Sequence, residues 1–153
     1  MAPAGSAGPS KNFAANLSGK DEVPVRNTRA QGHTHFQVNA AGTEIFYRLS
    51  VANINNVVAA HIHIGQPGVN GPVVVHLAGP LPPGGGRYSG VIGSGVITEE
   101  HLTGPLAGHP LSDLLNAMAS GNAYVNVHTN DGAGAPNSGP GDFPGGEIRG
   151  QIR

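Results

Sequence analysis

Three histidines set the chemical question. His61 and His63 flank Ile62, and His128 closes the run Tyr124-Val125-Asn126-Val127-His128. In an extended strand, side chains alternate between faces. His61 and His63 therefore project from one side, while Ile62 and Ile64 fill the other. Their Cα atoms lie roughly 6.6 Å apart at about 3.3 Å of rise per residue. Two imidazoles so placed can grip one metal ion through bonds of about 2.0–2.1 Å. Tyr124, Asn126 and His128 likewise share a face, opposite Val125 and Val127. If the two strands are neighbours, three imidazoles converge. Neutral nitrogen donors without thiolate suit copper(II), zinc or nickel, and copper leads on intrinsic affinity. The plainer reading is two half-exposed polar residues in a strand, engaged only in hydrogen bonds.

The remaining histidines are less directed. His33-Thr34-His35 is a second pair at the same spacing. It offers a further ligand, a second site or a solvated strand face. His76 ends an otherwise apolar strand, as a fourth ligand or an edge residue. His101 and His109 stand beside helix starts and read as surface groups. Glu147 and Arg149 alternate with Ile148 and point to one face. They could orient a histidine, or form a salt bridge or hydrogen bonds to the long loops.

Other chemistries are excluded or weak. The chain has no cysteine, so thiolate ligands, disulfides and a cysteine nucleophile are ruled out. Residues 65–71 are Gly-rich, but no Lys follows and no helix opens there, so the segment does not cradle phosphate. No G-x-S-x-G nucleophile elbow occurs. Net charge is −1, which leaves no basic face for nucleic acid. No stretch approaches the roughly 18 apolar residues of a membrane span, and no signal peptide is visible at the start.

The elements that must position these residues are short and strand-like. Apolar segments at 12–18, 33–40, 43–52, 57–64, 72–77, 87–97, 123–129 and 147–152 read as eight strands separated by turn residues. Ala41-Gly42 reads as a hairpin turn, and 53–56 as another turn. In 33–40, Phe36, Val38 and Ala40 face one way, while His33, His35, Gln37 and Asn39 face the other. One helix interrupts the pattern. Leu111, Leu114, Leu115 and Met118 recur at helical spacing, with Pro110 at its first turn and Gly121 at its C-terminal cap. Thr98 could cap a shorter helical turn carrying Glu99 and Glu100. The expectation is an all-β, eight-stranded Greek-key sandwich or barrel with one short helix before the seventh strand. Residues 1–10 read as a disordered lead and 11–153 as one domain. Only 11% of residues are charged, so Asn, Ser, Thr and Gly must clothe the surface.

Several runs resemble chordin-type (CHRD) domains. These are Phe13-Ala14-Ala15-Asn16-Leu17-Ser18-Gly19 with Glu22-Val23-Pro24, Ala60-His61-Ile62-His63-Ile64-Gly65, Asn70-Gly71-Pro72-Val73-Val74-Val75 and Gly104-Pro105-Leu106-Ala107-Gly108. The stretch from Gly121 to Thr129 and the ending from Gly146 to Ile152 belong with them. The resemblance implies a secreted, periplasmic or extracellular domain of poorly defined biochemical role. His33 and His35 fall where that family is not expected to carry histidines.

A more distant resemblance is to copper-zinc superoxide dismutase, also an eight-stranded Greek-key barrel. That family carries an HxH copper pair on its fourth strand, a copper histidine at the end of its seventh, and an arginine near its eighth that guides superoxide. By order of strands, His61 and His63, His128 and Arg149 match those places. The long zinc-binding loop has no counterpart; only residues 65–71 stand there, so no second, zinc site is carried over. A fourth copper ligand would have to come from His76, His35, a carboxylate or water. Two functions follow as expectations. One is a mononuclear copper site, with zinc as alternative metal and superoxide as possible substrate. The other is a non-catalytic structural or interaction module, meeting a protein or glycan partner, whose histidines only hydrogen-bond.

Overall fold

The computed structural model describes residues 11–137 and 139–153; the lead expected over residues 1–10 lies outside them. Eight strands form one sheet: β1 (Lys11–Ser18), β2 (Gln31–Val38), β3 (Ile45–Asn55), β4 (Val57–Ile64), β5 (Val73–Ala78), β6 (Arg87–Ile97), β7 (Ala123–Thr129) and β8 (Ile148–Gln151). Their spatial order is β5-β4-β7-β8-β1-β2-β3-β6, and every pairing is antiparallel. The chain runs β1-β2-β3 as a meander, crosses to the other half as β4 and β5, and returns as β6 beside β3. That crossing is the Greek key.

The sheet curls until its two edges nearly meet. Tyr47 on β3 donates its hydroxyl to the carbonyl of Leu77 on β5 at 2.7 Å. A Cβ at Gly93 on β6 would lie 2.5 Å from that same carbonyl oxygen. Only glycine lets the two edges approach so closely.

Alternation fixes which side faces inward. Along β2, Thr34, Phe36 and Val38 are buried while His33, His35 and Gln37 are exposed. Phe36, Ile45, Leu49, Ile54, Ile62, Val125 and Ile148 are each 0% exposed and form the centre of one core. The helix α1 (Leu111–Ala119) lays Leu111, Leu114 and Met118 against that core. Pro110 stands at its N-cap, and Gly121 follows its end at φ 78°. Thr98 precedes a 3-10 turn over Glu99–His101. His101 Nδ1 accepts there from the Thr98 backbone N–H at 3.0 Å.

The segment 53–56 differs from the expected turn. β3 continues to Asn55, with a register shift between Val51 and Ile54. Asn53 and Asn56 take positive φ of 56° and 61°. Asparagine tolerates that left-handed region. One asparagine therefore bulges the strand without ending it, and the other alone turns β3 into β4.

Candidate metal centre

β4 lies between β5 and β7, and its two faces have different fates. Ala60 and Ile62 point into the core at 0% exposure. His61 and His63 point outward, under the loops. Across the ladder, His61 stands opposite Asn126 and His63 opposite Tyr124. His128 follows two residues after Asn126, on the diagonal from His61, within reach of a long side chain. The fold thus brings together the three histidines named from spacing. Each offers one ligand atom, and these atoms lie within 4.8 Å of one another.

The nitrogen pattern is more specific than the clustering. His63 Nδ1 is 2.8 Å from the Gly71 carbonyl, and His128 Nδ1 is 2.8 Å from the Pro144 carbonyl. A carbonyl can only accept, so in both rings Nδ1–H donates and Nε2 is left with a free lone pair. His63 Nε2 is buried without any hydrogen-bond partner. His61 Nδ1 lies 3.2 Å from His128 Nε2. Two donors bound to one ion at about 2.0–2.1 Å, with angles near 90–110°, sit roughly 2.9–3.4 Å apart. In the metal-free protein this contact is a hydrogen bond, His61 Nδ1–H donating to the His128 Nε2 lone pair, and its length also falls within such a bite. Holding a ligand ring by its second N–H on a backbone carbonyl is the usual support of a histidine metal site.

The electrostatics agree. Burial, reinforced by the neighbouring imidazoles of His128, His63 and His76, pushes the His61 pKa down to about 4. Burial also lowers those of His63 and His128. Near neutral pH all three rings are uncharged, the form that binds metal.

The surrounding residues lock the rings in place. Tyr124, 1% exposed, stacks on His63 with ring centroids 4.8 Å apart and planes within 6°. Its hydroxyl accepts from the Gly71 N–H at 3.0 Å. Glu147, 0% exposed, accepts from the Thr28 hydroxyl at 2.7 Å, the Thr129 hydroxyl at 2.8 Å and the Gly141 N–H at 2.8 Å. It thereby fastens the loop that supplies Pro144. The loop-bonding role considered for Glu147 is the one this geometry displays.

Arg149 is 1% exposed, and its guanidinium carbon lies 3.4 Å from the Tyr124 ring centroid. It donates to the Gln66 carbonyl at 2.8 Å and to Asn70 Oδ1 at 3.3 Å. His76 lies across from His61 on β5, exposed, with ring centroids 4.9 Å apart and planes at 86°; it is not among the three converging ligand atoms. His35 stands on the exposed face of β2, between Ala14 on β1 and Arg48 on β3. His33 beside it shares a hydrogen bond with Asn16 at 2.8 Å. Neither reaches the cluster.

The chain matches the family model described as the CHRD domain over residues 13–136. It belongs to the CHRD domain family. The matched span includes His61, His63 and His128, while Glu147 and Arg149 on and beside β8 lie beyond it. No curated protein and no solved structure matches the chain.

The Gly71 and Pro144 carbonyls escaped the sequence reading, because any residue offers the same acceptor. Glu22 escaped as well. It is 4% exposed, and its Oε2 is buried without a partner. Its position depends on the loop after β1, which has no periodic pattern.

Proposed function

We propose that this CHRD domain is an extracellular metal-binding module holding one copper ion on His61 Nδ1, His63 Nε2 and His128 Nε2. The observation that carries the reading is the pair of Nδ1–H···O=C bonds. They leave Nε2 of both rings as the nitrogen without a proton, and that of His63 buried without a hydrogen-bond partner. The polar side chain near it is Asn126, whose Oδ1 is likewise buried without a partner. An all-nitrogen donor set selects against calcium and magnesium, which take oxygen. It favours copper over zinc on affinity, with zinc the alternative in a copper-poor setting.

When bound, copper would supply one-electron chemistry and a position at which a small oxyanion such as superoxide could bind. The chain's own residues would orient the rings, keep them neutral and limit water on the His63 side. Arg149, behind Tyr124, would contribute positive charge toward an incoming anion. Secretion is part of the proposal and rests on the CHRD family match.

The test is copper(II) titration of wild type and His61→Ala, followed by superoxide decay under chelating conditions. The reading requires one equivalent bound by wild type and loss of stoichiometric binding in His61→Ala with the fold intact. Full copper affinity in His61→Ala refutes the ligand set. Tight binding without faster superoxide decay leaves a storage or delivery module.

A further inference from the structure

A second candidate site lies away from the histidines. β1 and β8 pair at Ser18 and Arg149 and again through the two backbone bonds between Ala14 and Arg153. Over this seam opens a trough of about 710 Å³, within the range of small-molecule sites. Asn16, Arg149, Gln151 and Arg153 line it from the two strands, and residues 20–25 with Pro67 and Gly68 line it from the loops.

The trough carries both charged and apolar groups. Lys20, Arg149 and Arg153 contribute three cations against the two acids Asp21 and Glu22. Among the described residues no carboxylate lies within ion-pair distance of any of the three. Asp21 is engaged with the Ser18 hydroxyl at 3.2 Å. Burial raises the Glu22 pKa to about 7, against the pull of Arg149 and Arg26, so its negative charge is only partly present near neutrality. Arg149 is pre-set, stacked on Tyr124 and bonded to Gln66 and Asn70. The apolar wall belongs to the same segment as Lys20: Val23, Pro24 and Val25, the last 69% exposed, with Pro67 also in the lining. An exposed valine beside a proline offers contact to carbon and none to a bare ion.

We propose that this trough binds a small organic carboxylate, its acid group toward Lys20 and Arg153 and its carbon body against Val23, Pro24 and Pro67. The site does not rest on the copper reading, although Arg149 stands in both. A bare inorganic oxyanion would satisfy the cations and leave the apolar wall unused. A neutral sugar would do the reverse.

The experiment is titration of the full chain with glucuronate, followed by backbone amide NMR and calorimetry, with glucose and inorganic phosphate as controls. The proposal expects saturable shifts at Asn16, Val23 and Gln151, and binding at least tenfold tighter than glucose or phosphate. The double variant Lys20→Ala/Arg153→Ala should weaken glucuronate at least tenfold while leaving copper stoichiometry unchanged, since both side chains are exposed and neither belongs to the three-histidine cluster. Arg153→Glu, which alters one exposed position, provides a second test of the same direction. No response to millimolar glucuronate overturns the proposal. So does equal binding of phosphate or glucose, or unchanged affinity in both variants.

Discussion

Replacing His63 by alanine separates metal binding from folding. In the metal-free protein the ring makes one hydrogen bond to Gly71 and stacks on Tyr124. These contribute about 1 kcal/mol and about 0.5–1.5 kcal/mol respectively. Against this, its buried Nε2 has no partner, a burden of about 1–3 kcal/mol that the variant removes. The two sides nearly cancel, so the metal-free melting temperature should move by only a few degrees. The copper-bound state behaves differently. Copper held at a thousand times its Kd stabilises the native state by about 4 kcal/mol, which for a chain of this size raises Tm by roughly 8–16 °C. Losing one of three nitrogens should weaken binding about a hundredfold. At the same free copper the gain then falls to about 1.4 kcal/mol, or roughly 3–6 °C. The assay is differential scanning calorimetry with free copper set by a competing chelator. A His63→Ala protein that keeps the full wild-type upshift would refute the assignment of Nε2 as a ligand.

Other outcomes follow from the same geometry. Glu147→Ala leaves three donors without their acceptor; at about 1–2 kcal/mol each, it should cost about 3–6 kcal/mol in urea unfolding and free the loop that positions Pro144. Glu22 is protonated in the native state over a pH range where the unfolded chain has already lost that proton, between 4.5 and about 7. Its contribution therefore falls as pH rises through that window, by up to about 3 kcal/mol at 1.36 kcal/mol per pH unit. Glu22→Gln should accordingly gain stability over wild type at pH 8 and little at pH 4, measured by denaturant midpoints at both. Tyr47→Phe removes the hydroxyl bond between the two sheet edges and should cost about 1 kcal/mol in the same measurement.

Much of this was legible in the residues. Strands with strict alternation, such as β2 and β7, followed from a two-residue period, and β4, β6 and β7 have the expected ends. Convergence of His61, His63 and His128 needed only that β4 and β7 be neighbours, which the topology supplies. The break at 53–56 misled because Asn signals a turn and a bulge with equal force. The locking of the rings was not legible: the acceptors of His63 and His128 are backbone carbonyls of Gly71 and Pro144, set by loop conformation. Arg149 had an identifiable face, but its burial under Gln66 and Asn70 depends on how the loop at 65–71 folds over β8.

The most direct test of the copper reading is electron paramagnetic resonance on protein purified without a histidine tag and titrated with copper(II). Wild type should saturate at one equivalent with nitrogen hyperfine structure from three imidazoles, and His128→Ala should lose that signal. A wild-type protein with no tight stoichiometric copper, or a spectrum unchanged by His128→Ala, would contradict it.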